Sequence, residues 1–313
     1  MYLALSMPTA FVTHRECQLH DMGRHHPECP ERLQAIEDRL IASGLLGCLA
    51  EYEAPLAEEQ QLMRVHDPDY VRAIKDSAPR TGLVHLDPDT AMNPASYGAA
   101  LRAAGAVILA TDLVMRGEMD NAFCAVRPPG HHAESSRAMG FCLFNNVAVG
   151  VAHALEAHGL PRAAVVDFDV HHGNGTEEIF RRDERVMMVS TFQHPFYPYS
   201  GIEGRSERMV NVPLPAYTDG RGFRRAVEQE WLPALERFRP EALFISAGFD
   251  AHREDDMASL GLVESDYVWV TERIMEVAER HAKGRIVSVL EGGYNLDALG
   301  RSATAHLKAL AGL

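Results

Sequence analysis

Two carboxylates and an imidazole lie close together in one short segment and could jointly bind a cation. They are Asp167, Asp169 and His171, within Ala-Ala-Val-Val-Asp-Phe-Asp-Val-His-His-Gly-Asn-Gly-Thr over residues 163–176. The β-branched start and the Gly- and Asn-containing end predict a buried strand that runs into a loop, with these three side chains on one side. Burying them is costly without a positive partner, and a divalent metal ion is the simplest one. A buried salt-bridge network, or a helix N-cap that uses Asp or Asn, is the structural alternative.

A histidine pair, His131 and His132, forms a second candidate group. It follows the apolar segment 121–126 and the turn sequence Arg-Pro-Pro-Gly over residues 127–130. Adjacent residues of a strand point to opposite faces, whereas in a turn both rings can face one pocket. The pair comes directly after a strand end, which is where open α/β sheets place their sites.

The elements that position these groups alternate between strands and helices. This alternation predicts an α/β fold with a mostly parallel sheet covered on both faces, and no repeat or linker divides residues 1–313 into more than one domain. Four strands should end at candidate catalytic or metal-binding residues. These are the histidine pair, Asp167 to His171, Asp250 and Tyr294. We predict strands at 8–13, 121–126, 186–190, 209–212, 242–247 and 286–290, and one that starts at 163. We predict helices at 57–75 (broken at Asp67-Pro68), 95–116, 146–158, 177–181, 221–238 and 265–281, and helical spacing of Leu33, Ile36 and Leu40 indicates a further one after Glu31. The histidines of the loop 14–31, His20, His25 and His26, are assigned to the surface or a pocket rim.

Composition excludes several classes of protein. With 46% hydrophobic and 24% charged residues among 313, the chain can bury a large core. No apolar run is expected to span a bilayer and residues 1–7 lack a basic signal-peptide region, so we expect a cytoplasmic protein without a membrane partner. The net charge of −14 argues against nucleic-acid binding. The five cysteines, at positions 17, 29, 48, 124 and 142, form no CxxC pair and are expected to be reduced.

Taken together, the motifs resemble those of the zinc-dependent histone deacetylase family, which includes bacterial deacetylase-like amidohydrolases. The resemblance implies an arginase/deacetylase-like three-layer α/β/α fold with a central, mostly parallel, eight-stranded sheet. The motifs occur in the family's order and span nearly the whole chain. They are His26-Pro-Glu-Cys-Pro-Glu-Arg-Leu33, Arg127-Pro-Pro-Gly-His-His132, Asp167-Phe-Asp-Val-His-His-Gly-Asn-Gly-Thr176, Ser246-Ala-Gly-Phe-Asp-Ala-His252 and Glu291-Gly-Gly-Tyr294.

By this resemblance, Asp169, His171 and Asp250 bind one zinc ion. Oxygen and nitrogen ligands suit zinc, and three protein ligands leave positions open for water and substrate. Ferrous iron fits the same ligands, so the sequence leaves the identity of the metal open.

The resemblance also assigns catalytic roles. His132 is the general base and later the general acid, and His131 is its electrostatic partner. Asp167 orients His131, Asn174 contacts His132, and Tyr294 donates its hydroxyl to the developing oxyanion.

Further matches concern a substrate tunnel and monovalent cations. A slender tunnel for an acyl-amine chain would be formed by Gly140, Phe141, Tyr197, Met257, Asp89 and Gly292. A structural potassium or sodium ion would bind at an inner site formed by Asp167, Asp169, His171, Ser190 and Thr191. A second ion would bind at an outer site that includes Phe180, Asp183 and Val186.

The predicted function is removal of acetyl or other short acyl groups from acylated lysine or similar amines, by an enzyme that forms either a monomer or a homo-oligomer. Acetylpolyamine hydrolysis is an alternative, although Met257 stands where an acidic rim residue would favour polyamines. An arginase-like enzyme with two metals is disfavoured by the His-His and Gly-Gly-Tyr motifs. A silent acyl-lysine binding module is disfavoured by the presence of Tyr294.

Overall fold

The structure, a computed structural model, describes residues 9–203 and 206–313. Its strands are β1 (Ala10–Thr13), β2 (Ala50–Glu53), β3 (Val84–His85), β4 (Ala91–Met92), β5 (Asn121–Ala125), β6 (Ala163–Asp167), β7 (Val186–Gln193), β8 (Met209–Leu214), β9 (Leu243–Ala247) and β10 (Ile286–Leu290). Its helices are α1 (Glu31–Ser43), α2 (Glu59–Leu62), α3 (Pro68–Ser77), α4 (Ser96–Met115), α5 (Asn146–Ala157), α6 (Asn174–Phe180), α7 (Gly220–Ala226), α8 (Leu232–Phe238), α9 (Glu264–His281) and α10 (Leu296–Leu310). The predicted start of the first strand at Pro8, and the segment 1–7 used to judge a signal peptide, lie outside the described residues.

Eight of the strands form one sheet in the order β2-β1-β5-β10-β9-β6-β7-β8, and every pairing in it is parallel. This confirms the predicted central eight-stranded sheet. Four strands were predicted to end at candidate catalytic or metal-binding residues. They are consecutive neighbours in the sheet, in the order β5, β10, β9 and β6. Their carboxyl ends therefore meet along one short stretch of the sheet edge.

The inner strands are buried on both faces because helices cover both sides of the sheet. Every residue of β5, β6, β9 and β10 is buried, which explains their nearly unbroken apolar sequences. The helices α4 and α5 pack on each other and on the inner strands. A separate group, α1, α9 and α10, packs together. The result is the predicted three-layer arrangement.

Helix α4 differs from one expectation. Over Ser96–Met115 it is long and apolar enough to span a membrane by length and composition alone, so the expectation that no segment reaches that length is wrong. Two thirds of its most apolar window, 67%, is buried inside the protein, as in the core helix of a globular domain. Its apolar character serves packing against α5 and the sheet.

The elements not assigned from the sequence include the short strands β3 and β4, strand β2 and helix α10. Strand β2 is the edge strand beside β1, and helix α10 packs on α1 and α9. Leu299, Ala303, Leu307 and Leu310 recur at helical spacing on the buried side of α10, so its apolar periodicity could have identified this helix. Its start is capped by the Asn295 side chain, which accepts from the Ala298 N–H.

Helix α4 also provides a stability test, because one of its glycines lies against backbone. A Cβ atom added at Gly105 would lie 2.0 Å from the carbonyl oxygen of Pro55, whereas one added at Gly98 would meet nothing within 4 Å. We expect Gly105→Ala to lower the free energy of unfolding by about 1–3 kcal/mol, measured by urea denaturation. Gly98→Ala, in the same helix, should be neutral or stabilising by about 0.5–1 kcal/mol. Equal effects of the two substitutions would contradict this packing.

Candidate active site

The predicted catalytic residues converge at the carboxyl edge of the sheet. The loop after β5 brings His131 and His132, and the loop after β6 brings Asp169 and His171. The loops after β9 and β10 bring Asp250 and Tyr294. Each residue follows a buried strand directly, so the rigid sheet fixes where its loop begins.

Asp169, His171 and Asp250 form a compact buried triad. One ligand atom from each lies within 4.8 Å of the others. The His171 Nδ1 atom is 3.0 Å from Asp169 Oδ1 and 3.2 Å from Asp250 Oδ2. The Oδ2 atom of Asp250 is buried without a hydrogen-bond partner in the described part of the chain. Two carboxylates and an imidazole, with one oxygen unsatisfied, fit a divalent cation of the kind that prefers O and N ligands.

The charges in the triad support the same conclusion. Burial, and then the charge of Asp169, raise the pKa of Asp250 to about 7. Burial opposes protonation of His171, but its contacts with Asp169 and Asp250 outweigh burial and raise its pKa to about 10. A proton on His171 thus offsets part of the charge of the two carboxylates when no cation is present. A metal ion would displace that proton, because an imidazole must be neutral to act as a ligand.

The backbone around the triad orients the carboxylates. The N–H groups of Gly292 and His171 donate to Asp169 at 2.8 Å each, and the N–H of Val170 donates to Asp250 at 2.9 Å. A Cβ atom at Gly292 would lie 2.0 Å from Asp250 Oδ2. Only glycine therefore allows this loop to approach the metal ligands so closely.

The two histidines lie beside the triad with ring centroids 4.0 Å apart and ring planes tilted by 44°. The His131 Nδ1 atom is 2.9 Å from Asp167 Oδ2, and the His132 Nδ1 atom is 2.8 Å from Asn174 Oδ1. Burial opposes a charge on His131, but the Asp167 and Asp169 carboxylates outweigh it and raise the pKa of His131 well above its usual value.

His132 behaves in the opposite way. Burial, followed by the charges of His131 and His171, holds the pKa of His132 well below its usual value. These opposite shifts favour the cationic form of His131 and the neutral form of His132. A neutral imidazole next to the cavity has the protonation state that a general base requires.

The loop that carries Tyr294 is held from two directions. Arg32 lies with its guanidinium carbon 4.9 Å from the centre of the Tyr294 ring and donates to the carbonyls of Glu291 and Gly293. On the other side, Asp255 accepts from the backbone N–H of Tyr294 at 2.6 Å. Burial, and then Asp250, raise the pKa of Tyr294 well above its usual value, so its hydroxyl stays protonated and able to donate.

A fully buried ion cluster beneath this loop was not predicted. Glu28 pairs with both Arg32 and Arg127, and all three side chains are completely buried. Burial opposes ionisation of Glu28, but the two arginines outweigh it and lower its pKa to about 2. His20, assigned to a loop surface or pocket rim, is in fact buried within 3.5 Å of Glu28 and hydrogen-bonded to Ser96. That part of the assignment is wrong, because the cluster orders the loop from below.

Glu291 is a second residue without a role assigned from the sequence. Its carboxylate accepts from the N–H groups of Gly130 and His131 and from the Ser246 hydroxyl. It therefore ties the loops after β5 and β10 together. Its place directly before the Gly-Gly-Tyr turn is the signal that could have identified it.

A cavity of about 280 Å³ leads to these groups. Its walls contain five of the six predicted tunnel residues, Gly140, Phe141, Tyr197, Met257 and Asp89, together with His132, His171, Tyr294 and Phe196. The sixth, Gly292, does not line the cavity, because it lies against the carboxylates of Asp169 and Asp250. Phe196, which was not predicted, stacks on His171 with ring centroids 5.5 Å apart.

Asp89 helps to shape this cavity. Its carboxylate accepts from the Gly140 N–H at 3.1 Å, and the neighbouring Thr90 hydroxyl accepts from the Phe141 N–H. These bonds support the turn that presents the Phe141 wall. A larger cavity of about 480 Å³ lies at the opposite edge of the sheet, and none of the described residues that line it is a predicted catalytic residue.

The residues assigned to monovalent cations lie in two places. The inner set, Asp167, Asp169, His171, Ser190 and Thr191, is buried, and Asp167 pairs with Ser190 across β6 and β7. The outer set is different, because the Arg208 guanidinium donates to the carbonyls of Asp183 and Val186 at 2.6 and 3.2 Å. The outer residues therefore already have a cationic partner and do not fit a second free ion.

A second group with metal-ligating side chains lies between α4 and α5. Asp112, His153 and His158 bring ligand atoms within 4.8 Å of one another. However, Arg64 lies 2.7 Å from His153 Nδ1, and Arg116 lies 3.3 Å from Asp112. Because the Arg64 guanidinium can only donate, His153 Nδ1 must accept a hydrogen bond from it. His153 Nε2 therefore carries the ring proton and donates to Asp112. This arrangement is a hydrogen-bonded ion cluster and is already satisfied.

Comparisons with known proteins agree with this geometry. The chain matches the histone deacetylase domain over residues 26–310. It is 38% identical to a histone deacetylase-like amidohydrolase of Pseudomonas aeruginosa, covering 92% of this chain and 82% of that protein. It is 37% identical to a probable deacetylase of Archaeoglobus fulgidus, covering 93% and 82%. The solved structure of the HDA15 HD domain superposes with a TM-score of 0.91 at 34% identity, covering 97% of this chain and 88% of that one.

The buried cluster under the tyrosine loop predicts a large stability effect. We expect Arg32→Met to lower the free energy of unfolding by about 3–5 kcal/mol in urea denaturation, because it removes one partner of a buried ion pair. Arg32→Lys should restore only part of the loss, since an ammonium cannot reproduce the guanidinium fork. Arg72→Met, which removes an exposed pair with Asp69, is the control and should change stability little. An Arg32→Met effect no larger than that control would contradict the role of the cluster.

Proposed function

The chain belongs to the histone deacetylase family, whose members hydrolyse amide bonds, and on that basis we propose that it is a zinc-dependent deacetylase of acylated lysine or similar amines. One observation supports the proposal most strongly: His132, His171 and Tyr294 line a single cavity of about 280 Å³. Asp169 and Asp250 lie behind that wall with ligand atoms within 4.8 Å of that of His171, and His131 lies beside His132 with ring centroids 4.0 Å apart.

The metal proposal rests on the donor set. Asp169, His171 and Asp250 would hold the ion, with one nitrogen and carboxylate oxygens as ligands. Zinc bound there supplies Lewis-acid polarisation of the amide carbonyl and lowers the pKa of water. The two carboxylates balance the double charge of the ion, and Phe196 stacks on the imidazole and limits its rotation.

The remaining groups divide the proton transfers among them. His132 removes a proton from the attacking water and later returns it to the leaving amine. His131, held cationic by Asp167, stabilises negative charge beside it. The Tyr294 hydroxyl donates to the oxygen that becomes negative in the transition state, and Arg32 and Asp255 hold its loop in place.

The walls of the cavity support a slender substrate chain. Phe141 and Tyr197 present aromatic rings, and Met257 adds an apolar side chain. An acetylated lysine offers an aliphatic stem of the matching kind, with its amide at the tip. The proposal includes one potassium or sodium ion at the inner set of Asp167 and its neighbours. The absence of nucleic-acid and membrane partners, a homo-oligomer and a cytoplasmic location stay predictions.

The substrate proposal predicts a specific activity pattern. A turnover screen of an acetyl-lysine peptide, acetylputrescine, acetylspermidine and small acetylated metabolites should give the highest kcat/KM with the peptide. A chelator should abolish turnover, and added zinc should restore it. A higher kcat/KM with the acetylpolyamines would contradict the proposed acyl-lysine substrate and favour the polyamine alternative. Full activity of the metal-free protein would contradict the zinc mechanism.

Tyr294→Phe tests the oxyanion role separately. Loss of one oxyanion donor should lower kcat by about 10²–10³-fold while zinc content, measured by metal analysis, stays at the wild-type value. Tyr199→Phe, at an exposed tyrosine close in sequence to the cavity wall, is the matched control and should leave kcat unchanged. Near-normal turnover of Tyr294→Phe would remove this residue from the mechanism.

A further inference from the structure

The amide of Asn174 lies between His132 and a carboxylate that no assigned role uses. Its Oδ1 atom is 2.8 Å from His132 Nδ1, and its Nδ2 atom donates to Glu134 Oε1 at 2.9 Å. The other acceptors near Nδ2 are weaker. They are the His132 carbonyl at 3.5 Å and the Met139 sulfur at 3.4 Å.

The proton positions in this chain of groups follow from Glu134, which is the nearest acceptor of the Asn174 amide. An ionised carboxylate can only accept hydrogen bonds, so the Asn174 atom that faces it must be the NH₂ group. The atom that faces His132 must then be the amide oxygen, which also only accepts. The His132 Nδ1 atom must therefore carry a proton, and Nε2 is left with its lone pair.

This matters because an asparagine amide, unlike an aspartate, can take two orientations. With the amide reversed, its NH₂ group would donate to His132 Nδ1, and the proton of the neutral ring would move to Nε2. In that tautomer, Nε2 cannot accept a proton. An asparagine beside a general base therefore needs a further group that fixes its orientation.

Glu134 is held in a position from which it can fix the orientation of the Asn174 amide. Its backbone N–H donates to the Arg137 carbonyl at 2.9 Å, and its carbonyl accepts from the His66 Nδ1 at 3.0 Å. The opposite ring nitrogen of His66 accepts from the Asn145 N–H at 2.9 Å, which fixes the His66 tautomer. Within the described residues, no cationic side chain pairs with the Glu134 carboxylate, so it remains available to Asn174.

We propose that Glu134 is a positioning residue that locks the Asn174 amide and thereby holds His132 in the Nδ1-protonated tautomer with Nε2 free to accept a proton. The proposal rests on the proposed function for the role of His132. Glu134 does not line the cavity and acts only through Asn174.

A crossed pair of variants tests this proposal. In the wild-type background, Glu134→Ala should lower kcat by about tenfold with KM changed less than about twofold, because the loss affects proton transfer and not binding. In the Asn174→Asp background, the carboxylate can only accept from His132, so Glu134→Ala should cause no further loss. Glu178→Ala removes a nearby carboxylate that contacts Ser135, and it should leave kcat unchanged.

A spectroscopic measurement separates this proposal from the proposed function. Two-bond ¹H–¹⁵N correlation spectra of the zinc-loaded protein report which His132 nitrogen carries the proton. We expect protonated Nδ1 in the wild type and in Glu178→Ala, and a mixed or reversed pattern in Glu134→Ala. An unchanged tautomer in Glu134→Ala, or an equal loss of kcat in both backgrounds, would overturn the proposal. Correct tautomers in a protein without turnover would instead overturn only the proposed function.

The contacts of Arg208 carry a second, independent inference. Its guanidinium donates to the carbonyls of Asp183, Val186 and Arg181, at 2.6, 3.2 and 3.3 Å. Two of these three oxygens belong to the residues assigned to an outer monovalent cation. A free cation there would compete with the guanidinium for the same lone pairs and be repelled by its charge.

We infer that Arg208 replaces the outer cation and that the wild-type protein holds no potassium or sodium ion at Phe180, Asp183 and Val186. In tetramethylammonium chloride, the Tm of Arg208→Ala should then be lower than that of the wild type. Exchange of that salt for potassium chloride at equal ionic strength should raise the Tm of Arg208→Ala more than the Tm of the wild type. Arg185→Ala, which removes a pair with the Asp183 carboxylate, should respond to potassium as the wild type does. Equal potassium responses of Arg208→Ala and the wild type, or a rubidium ion on these carbonyls in wild-type crystals, would contradict the inference.

Discussion

The structure depends on placing several carboxylates in a dry site at the carboxyl edge of a parallel sheet. Asp167, Asp169, Asp250 and Glu291 are all at most 1% exposed, and each carboxylate removed from water carries a large desolvation cost. That cost is compensated locally by two devices. Backbone N–H groups and the cationic His131 satisfy part of the charge, and a divalent ion between Asp169, His171 and Asp250 would satisfy the rest.

Compensation of this charge also explains the fixed geometry of the catalytic loops. The loop before Tyr294 needs glycine at position 292 because the carboxylate of Asp250 approaches within 2.0 Å of a Cβ placed there. The same loop is fixed from below by Arg32, which is itself neutralised by Glu28. Binding of the metal and orientation of the tyrosine therefore rely on one connected set of buried charges.

Much of this architecture could be predicted from the sequence. The buried parallel strands show nearly unbroken apolar runs, and each candidate ligand follows such a run directly, so their convergence followed from sheet geometry. Other features could not be predicted in that way. Glu28 pairs with Arg127 at a separation of 99 residues along the chain, and Glu134 with Asn174 at 40 residues, and no local pattern encodes such pairings. Helix α10 could have been predicted, because its buried leucines recur at helical spacing, whereas the hydrogen bond between its buried His306 and Thr271 could not.

The position of the metal ion is the most direct test of the account. Crystals of the protein loaded with one equivalent of zinc, measured on both sides of the zinc absorption edge, would locate it by anomalous scattering. We expect one peak about 2.0–2.2 Å from Asp169, His171 and Asp250. The absence of a peak there, or a peak at Asp112, His153 and His158 instead, would contradict the account.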